Sequence, residues 1–166
     1  MSKKVVCFGE IMLRLAPPGY QRFEQAHSFD AVYGGGEANV ALSLANYGEE
    51  GVFVTRVPDN PIGQAAINEM RRYGVDTTYM VRGGERLGIY YCEKGASQRP
   101  SKVVYDRKYA SISTATSADF DWEKIFAGAS WYHFTGITPA LGDNVAAVVL
   151  DSLKAAKKAG ITVSCD

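Results

Sequence analysis

Three consecutive glycines, Gly34-Gly35-Gly36, divide an extended pattern over Phe29–Tyr33 from a helical one in which Ala38, Ala41, Leu42 and Ala45 recur until Gly48. Three successive positions without a Cβ allow a sharp turn and close approach to the backbone, and the following helix leaves its first N–H groups free to donate. Such an elbow suits a bound anion or hydroxyl; it also suits a plain flexible turn. Two common nucleotide signatures are not satisfied. Asn39 stands where the last glycine of Gly-x-Gly-x-x-Gly would fall, and Gly-x-x-x-x-Gly-Lys-Ser/Thr does not occur.

Around the elbow, strand and helix patterns alternate. Val5–Gly9 is a continuous apolar run, as in a strand buried on both faces, whereas Ile11–Leu15 alternates like a strand with one wet face and stops at Pro17-Pro18-Gly19. Gly51–Val57 is apolar and β-branched. Asn60-Pro61 then offers an N-cap with proline at the first helical position, and Ile62, Ala66, Met70 and Tyr73 are expected to form that helix's inner face before Gly74. From Thr77 to Arg107, the segments Tyr79–Val81, Gly88–Glu93 and Lys102–Arg107 alternate between Gly- and Ser-rich turns and predict an antiparallel meander. Ala129–Thr135 returns to a buried strand, Asp143–Lys158 predicts an amphipathic helix with lysines at its negative end, and Ile161–Cys165 begins another strand. The alternation predicts an α/β body with helices on both faces of a sheet, carrying a small β flap. Open α/β sheets place ligand chemistry at the carboxyl ends of their strands. The sequence stops at such an end, at Asp166, and is therefore expected to be the N-terminal portion of a longer protein.

Composition narrows the function classes. At 166 residues the chain is long enough to bury about 70% of its extended surface. Eighteen Lys and Arg balance eighteen Asp and Glu, and 46% of residues are hydrophobic, which argues against a disordered chain and against a nucleic-acid partner. No apolar run approaches the roughly 20 residues of a membrane span, so no membrane partner is expected. The N-terminal run is broken too early by Glu10 and Arg14 to be a signal peptide, and a cytoplasmic location is expected. Cys7, Cys92 and Cys165 are odd in number and widely spaced, which fits a reducing compartment and small core residues.

Several side chains could carry chemistry. Glu10 ends the first buried strand, where a carboxylate could accept ligand hydroxyls, face water or pair with an arginine. Asn39 lies three residues into the helix, where its amide could bond locally or reach a ligand in the elbow. Tyr90, Tyr91, Tyr105 and Arg107 place phenols and a guanidinium on neighbouring strands, a set suited to a polyhydroxy acid or to plain packing. Tyr90 and Tyr91 point to opposite faces, so at most one of them lines a given pocket. His27 and His133 stand alone, without the spacing of a zinc site or a triad, and His133 reads as a core residue.

Taken together, Gly34-Gly35-Gly36-Glu37-Ala38-Asn39-Val40-Ala41 followed by Gly48 resembles the N-terminal signature of the ribokinase-like (pfkB) sugar kinases. Val5–Glu10, Arg56–Gly63 and Gly74–Thr77 resemble further segments of that family, with Pro58 in place of a more usual glycine. Glu37, Gly88-Ile89-Tyr90, Tyr105-Asp106-Arg107 and Phe134–Leu141 look most like the 2-keto-3-deoxygluconate kinases. The resemblance implies a three-layer α/β/α sandwich with residues 1–10, 34–76 and 110–166 in the body and residues 11–33 and 77–109 in a β-sheet lid. It implies transfer of the ATP γ-phosphate, with Mg2+, to the terminal hydroxyl of a sugar acid, in a homodimer joined through the lid. By position, Gly35 and Gly36 would offer backbone to sugar hydroxyls and Asn39 would orient them. Tyr90 and Tyr105 would cover the sugar acid, Arg107 would face its carboxylate, and Glu10 would be a further contact. The family's anion hole, catalytic aspartate and most of its ATP pocket belong to a C-terminal half not seen here, so no catalytic or metal-binding residue is expected in this chain, and the fragment is expected to be inactive alone. Other readings are a kinase for fructose or ribose, or a non-catalytic module that binds sugar or mediates dimerisation.

Overall fold

The computed structural model describes residues 3–166. Residues 1 and 2, expected in the body, lie outside the described residues. The chain runs β1 (Lys4–Phe8), β2 (Met12–Ala16), β3 (Asp30–Gly34), α1 (Gly36–Asn46), β4 (Glu50–Val57), α2 (Pro61–Arg72), β5 (Met80–Arg82), β6 (Gly88–Glu93), β7 (Lys102–Asp106), α3 (Trp122–Phe126), β8 (Ala129–Phe134), α4 (Asp143–Lys158) and β9 (Thr162–Cys165). A five-stranded parallel sheet in the order β5-β4-β1-β8-β9 forms the body, and a four-stranded sheet in the order β3-β2-β6-β7 forms the lid.

The apolar run of β1 sits at the centre of the body sheet, and its alternation serves both faces. Val6 and Phe8 pack with Trp122, Ile125 and Phe126 of α3 and Val148, Val149 and Ala156 of α4. Val5 and Cys7 pack on the other side with Ala38 and Ala41 of α1 and Ala66, Ile67 and Met70 of α2. This is the expected three-layer, ribokinase-like sandwich. Phe8 meets Phe120 and Trp122 edge-on, with ring centroids 5.2 and 5.3 Å apart, the geometry that aromatic quadrupoles favour. The one phenol fully inside this layer is satisfied. Ser152 donates to the Val149 carbonyl at 2.6 Å, which leaves its oxygen to accept from the Tyr132 hydroxyl at 2.7 Å.

Local signals fix the helix ends. Asn60 Oδ1 accepts from the backbone N–H groups of Ile62 and Gly63, both at 3.0 Å, and Pro61 follows as the first helical residue. The predicted inner face of α2 is corrected in part. Ala66 and Met70 are buried, but Ile62 and Tyr73 are exposed, and Gly63 and Ile67 take the inward positions. Gly63 is pressed against the Pro58 carbonyl, where a Cβ would lie 2.1 Å from the oxygen, so this inward position has room for glycine alone. α4 spans Asp143–Lys158 as expected.

Two expectations about strands change. The segment expected to open the lid meander, β5, pairs in parallel with β4 and is an edge strand of the body. Backbone bonds from Phe53 to Asp76 and from Gly83 to Val57 carry the chain along β4, and an edge strand has one wet face just as a lid strand does. The lid is also not purely antiparallel: β2–β3 and β6–β7 are antiparallel, but β2–β6 is parallel. β9 is the opposite edge of the body and largely exposed, and of the three cysteines expected in the core only Cys7 is there, Cys165 being exposed. His133 is half-buried, with Nδ1 2.9 Å from Ser164 Oγ. Among the described residues no helix is long and apolar enough to cross a membrane.

Candidate functional site

The carboxyl ends of β1 and β8, the N-terminus of α1 and the inner face of the lid enclose a cavity of about 240 Å³. Glu10, Gly35, Gly36, Asn39, Tyr90, Tyr105 and Arg107, the seven residues singled out from sequence, all line it. It adjoins a more open groove of about 720 Å³ along Tyr105–Tyr109, with Tyr105, Arg107 and Ile137 common to both.

At the middle of the elbow one contact admits only glycine. Gly35 is the N-cap of α1 in an extended conformation, and a Cβ on it would lie 1.9 Å from the Glu10 carbonyl oxygen. The first helical bond runs from Asn39 N–H to the Gly35 carbonyl at 2.8 Å, so the N–H groups ahead of Asn39 are free of intrahelical partners. The Asn39 amide stands beside Gly34 at the exposed mouth of the site.

Strand register composes the opposite wall. Arg14, Tyr90 and Tyr105 are cross-strand neighbours on β2, β6 and β7, and side chains opposite one another share a face. The rings of Tyr90 and Tyr105 lie 6.0 Å apart at 34°, and the Arg107 guanidinium stands 5.6 Å from the centre of the Tyr105 ring. Tyr91 points to the other side, where it meets Phe23 and Phe29 edge-on. Of the two adjacent tyrosines, Tyr90 is the one in the cavity.

Between the walls lies an ion pair. Arg107 Nη2 donates to Glu10 Oε2, so the arginine alternative raised for Glu10 is the one realised. Glu10 is 5% exposed, its Oε1 is sealed from solvent with no hydrogen-bond partner, and Arg107 Nε is likewise unpartnered. Burial pushes the Glu10 carboxyl up to about 6; the Arg107 charge and hydrogen bond oppose the rise, and the Glu37 charge adds to it.

In sequence Glu37 stands out only as part of the resemblance, and the structure gives it a larger part. It is buried, and its Oε1 accepts from the Thr135 N–H at 3.0 Å, the Thr135 hydroxyl at 2.8 Å and the Thr138 hydroxyl at 2.5 Å. A glutamate in the first turn of a helix ordinarily reads as an exposed partner of the helix dipole, so the pattern gave no sign of burial. Burial, with the Glu37 charge nearby, also pushes the Cys7 thiol up to about 12. Gly34, Met12, Thr135, Ile137 and Thr138 complete the lining; the last three fall in the Phe134–Leu141 segment of the resemblance, without a role read from sequence, and Met12 carried no signal. As a set, the cavity offers free helix N–H groups, an amide, two phenols and one cation, which are groups for recognising hydroxyls and a carboxylate.

The chain is 34% identical over its whole length to a 2-dehydro-3-deoxygalactonokinase of Haloferax volcanii and 29% identical to a 2-dehydro-3-deoxygluconokinase of Bacillus subtilis, covering 52% and 51% of those proteins. Its fold superposes with a TM-score of 0.97 on the crystal structure of 2-dehydro-3-deoxygluconokinase from Thermotoga maritima, at 58% identity over 99% of this chain and 50% of that one. A putative 2-keto-3-deoxygluconate kinase from Enterococcus faecalis matches with a TM-score of 0.96 at 28% identity, covering 99% of this chain and 49% of that one. The chain thus spans about half the length of the relatives it matches. Residues 2–166 match the pfkB family of carbohydrate kinases, and with the parallel body, the lid and the glycine elbow between them, the chain belongs to that family.

Proposed function

We propose that this chain forms the acceptor-sugar side of a kinase that transfers the ATP γ-phosphate to the terminal hydroxyl of 2-keto-3-deoxygluconate (2-dehydro-3-deoxygluconate). The observation that carries the reading is the single cavity in which Arg107 and two tyrosines of the lid face the elbow of the body. Free N–H groups at the start of α1 and the Asn39 amide bind the sugar hydroxyls. Tyr90 and Tyr105 cover the chain of the sugar, and Arg107 meets its carboxylate. Held at both ends, the substrate presents its terminal hydroxyl in one orientation, which is the main service a protein renders in phosphoryl transfer. The names carried by the relatives support a keto-deoxy sugar acid over a neutral sugar.

ATP with Mg2+ supplies the phosphoryl group when bound. Among the described residues no three His, Cys, Asp or Glu side chains gather closely enough to hold a metal ion. The lid also offers a surface for a second copy: β7 is an edge strand exposed along its length, and a homodimer through the lid is part of the proposal.

The test compares the full-length gene product with the 166-residue chain. Calorimetric titration with 2-keto-3-deoxygluconate and an ATP-coupled assay should show turnover by the full-length protein alone. Equal turnover by both would overturn the assignment of this chain to the acceptor side only, and equal efficiency with fructose or ribose would overturn the sugar-acid specificity.

A further inference from the structure

On this chain's side of the site, charge is poorly matched to an anionic ligand. The titratable or charged side chains lining the elbow cavity are Glu10, Glu37, Arg107, Tyr90 and Tyr105; two carboxylates thus face one guanidinium, an excess of one negative charge. One donor of the guanidinium is already engaged. Arg107 Nη2, the nitrogen common to both two-pronged edges of the group, donates to Glu10 Oε2. A ligand carboxylate that engages Arg107 therefore meets Glu10 at the same nitrogen, with Glu37 close behind.

Resting on the sugar-acid reading above, we infer that Glu10 takes up a proton when a carboxylate-bearing ligand takes over Arg107, so that the ligand and a proton bind together. Glu10 Oε1 is the seat for that proton. It is sealed from solvent, has no hydrogen-bond partner, and lies so close to Gly88 that a Cβ there would be 2.5 Å away. A buried oxygen without a donor costs least when protonated.

The surroundings leave Glu10 as the group that responds. On α1, Glu37 already has three donors from Thr135 and Thr138. Cys7, on β1, has its thiol pushed far above neutrality. On β6 and β7 the neighbours are Tyr90, Tyr105 and Arg107, while Asp106 is held by Arg86. Arg14 lies farther along β2, beside Tyr90 in register, and the loop after β8 brings only the hydroxyls of Thr135 and Thr138. Before ligand binds, the Glu10 carboxyl sits near 6, kept from rising further by Arg107. Transfer of Arg107 to a second carboxylate removes that restraint and adds a like charge, so its proton affinity rises on binding.

Calorimetry of the full-length protein with 2-keto-3-deoxygluconate, in phosphate and in Tris at pH 7.5, reads the proton directly. The expected result is uptake of about one proton per ligand, with affinity falling by up to about tenfold per pH unit above pH 6. Glu10→Gln should abolish the uptake, flatten the pH dependence and bind on the order of tenfold to 100-fold more tightly than wild type at pH 8. Binding with the same heat in both buffers and no pH dependence would overturn the inference and leave the sugar-acid reading standing. No binding at any pH between 5 and 8 would overturn both. The wild-type measurement decides the matter even if the variant does not fold.

Discussion

The carboxylate of Glu37 holds Thr135 by two hydrogen bonds, from its N–H at 3.0 Å and its hydroxyl at 2.8 Å, across 98 residues of sequence. With the Thr138 hydroxyl as a third donor, this clamp joins the start of α1 to the loop after β8, directly behind the elbow. Gly9 leaves the room, since a Cβ there would lie 2.1 Å from Glu37 Cδ.

Truncating this clamp strands three buried donors. Glu37→Ala is expected to destabilise the chain by about 3 kcal/mol, read from the urea midpoint at constant slope. Glu37→Gln keeps a carbonyl acceptor and should lose roughly half as much. Equal losses would show that side-chain volume matters here and acceptance does not.

A methyl group at Gly35 collides with the Glu10 carbonyl oxygen, and backbone cannot swing aside as a side-chain end can. Gly35→Ala should therefore cost about 1–3 kcal/mol and open the elbow, weakening sugar binding as well as stability. Gly136→Ala, where a Cβ meets only the Asp166 carbonyl oxygen at 3.7 Å, is the matched control and should change the melting temperature little. A Gly35→Ala chain that melts and binds like wild type would remove the steric argument.

Glu10 also gives the ligand-free chain a pH signature of defined sign. Its folded value, about 6, lies above the ordinary 4.5, so the folded state binds more protons between those two values. The contribution is fully present below about pH 4.5 and is lost as pH rises through 6, a swing of about 2 kcal/mol. Thermal melts should accordingly show the wild-type protein losing stability relative to Glu10→Gln between pH 4.5 and 7. A constant difference across that range would contradict the burial argument.

Removing the guanidinium tests recognition of the carboxylate. In the full-length protein, if it has the proposed activity, Arg107→Ala is expected to raise KM for 2-keto-3-deoxygluconate about 10- to 100-fold, the worth of a charge-assisted hydrogen bond, with neutral sugars little changed. Steady-state kinetics on both classes decide it, and an equal effect on acid and neutral sugars would remove the carboxylate role.

Much of this was legible in the chain itself, and the failures have physical reasons. α4 could be read to its ends because an apolar stripe is bounded by glycines and its last turn carries lysines. α2 showed its cap clearly but not its orientation, because the inward place goes to Gly63, which packs by being small, while the more apolar Ile62 stays outside. β5 went to the wrong sheet because one-sided alternation reports a wet face without saying which sheet owns it. At the site, the elbow and the Tyr90–Tyr105 wall followed from glycine and strand periodicity together with the family resemblance. The partners of Glu37 and the pairing of Glu10 with Arg107 join residues about a hundred positions apart, which no local pattern encodes.

β3 ends at Gly34 and α1 begins at Gly36, so Gly35 alone connects a lid strand to a body helix. A one-residue joint has no slack. Any tilt of the cover is passed to the first turn of the helix, and any shift of the helix is felt by the cover, like two boards on one short hinge. The shielding of a ligand and the aim of the donors beneath it are thereby geared to each other, and a substitution that alters one will detune the other.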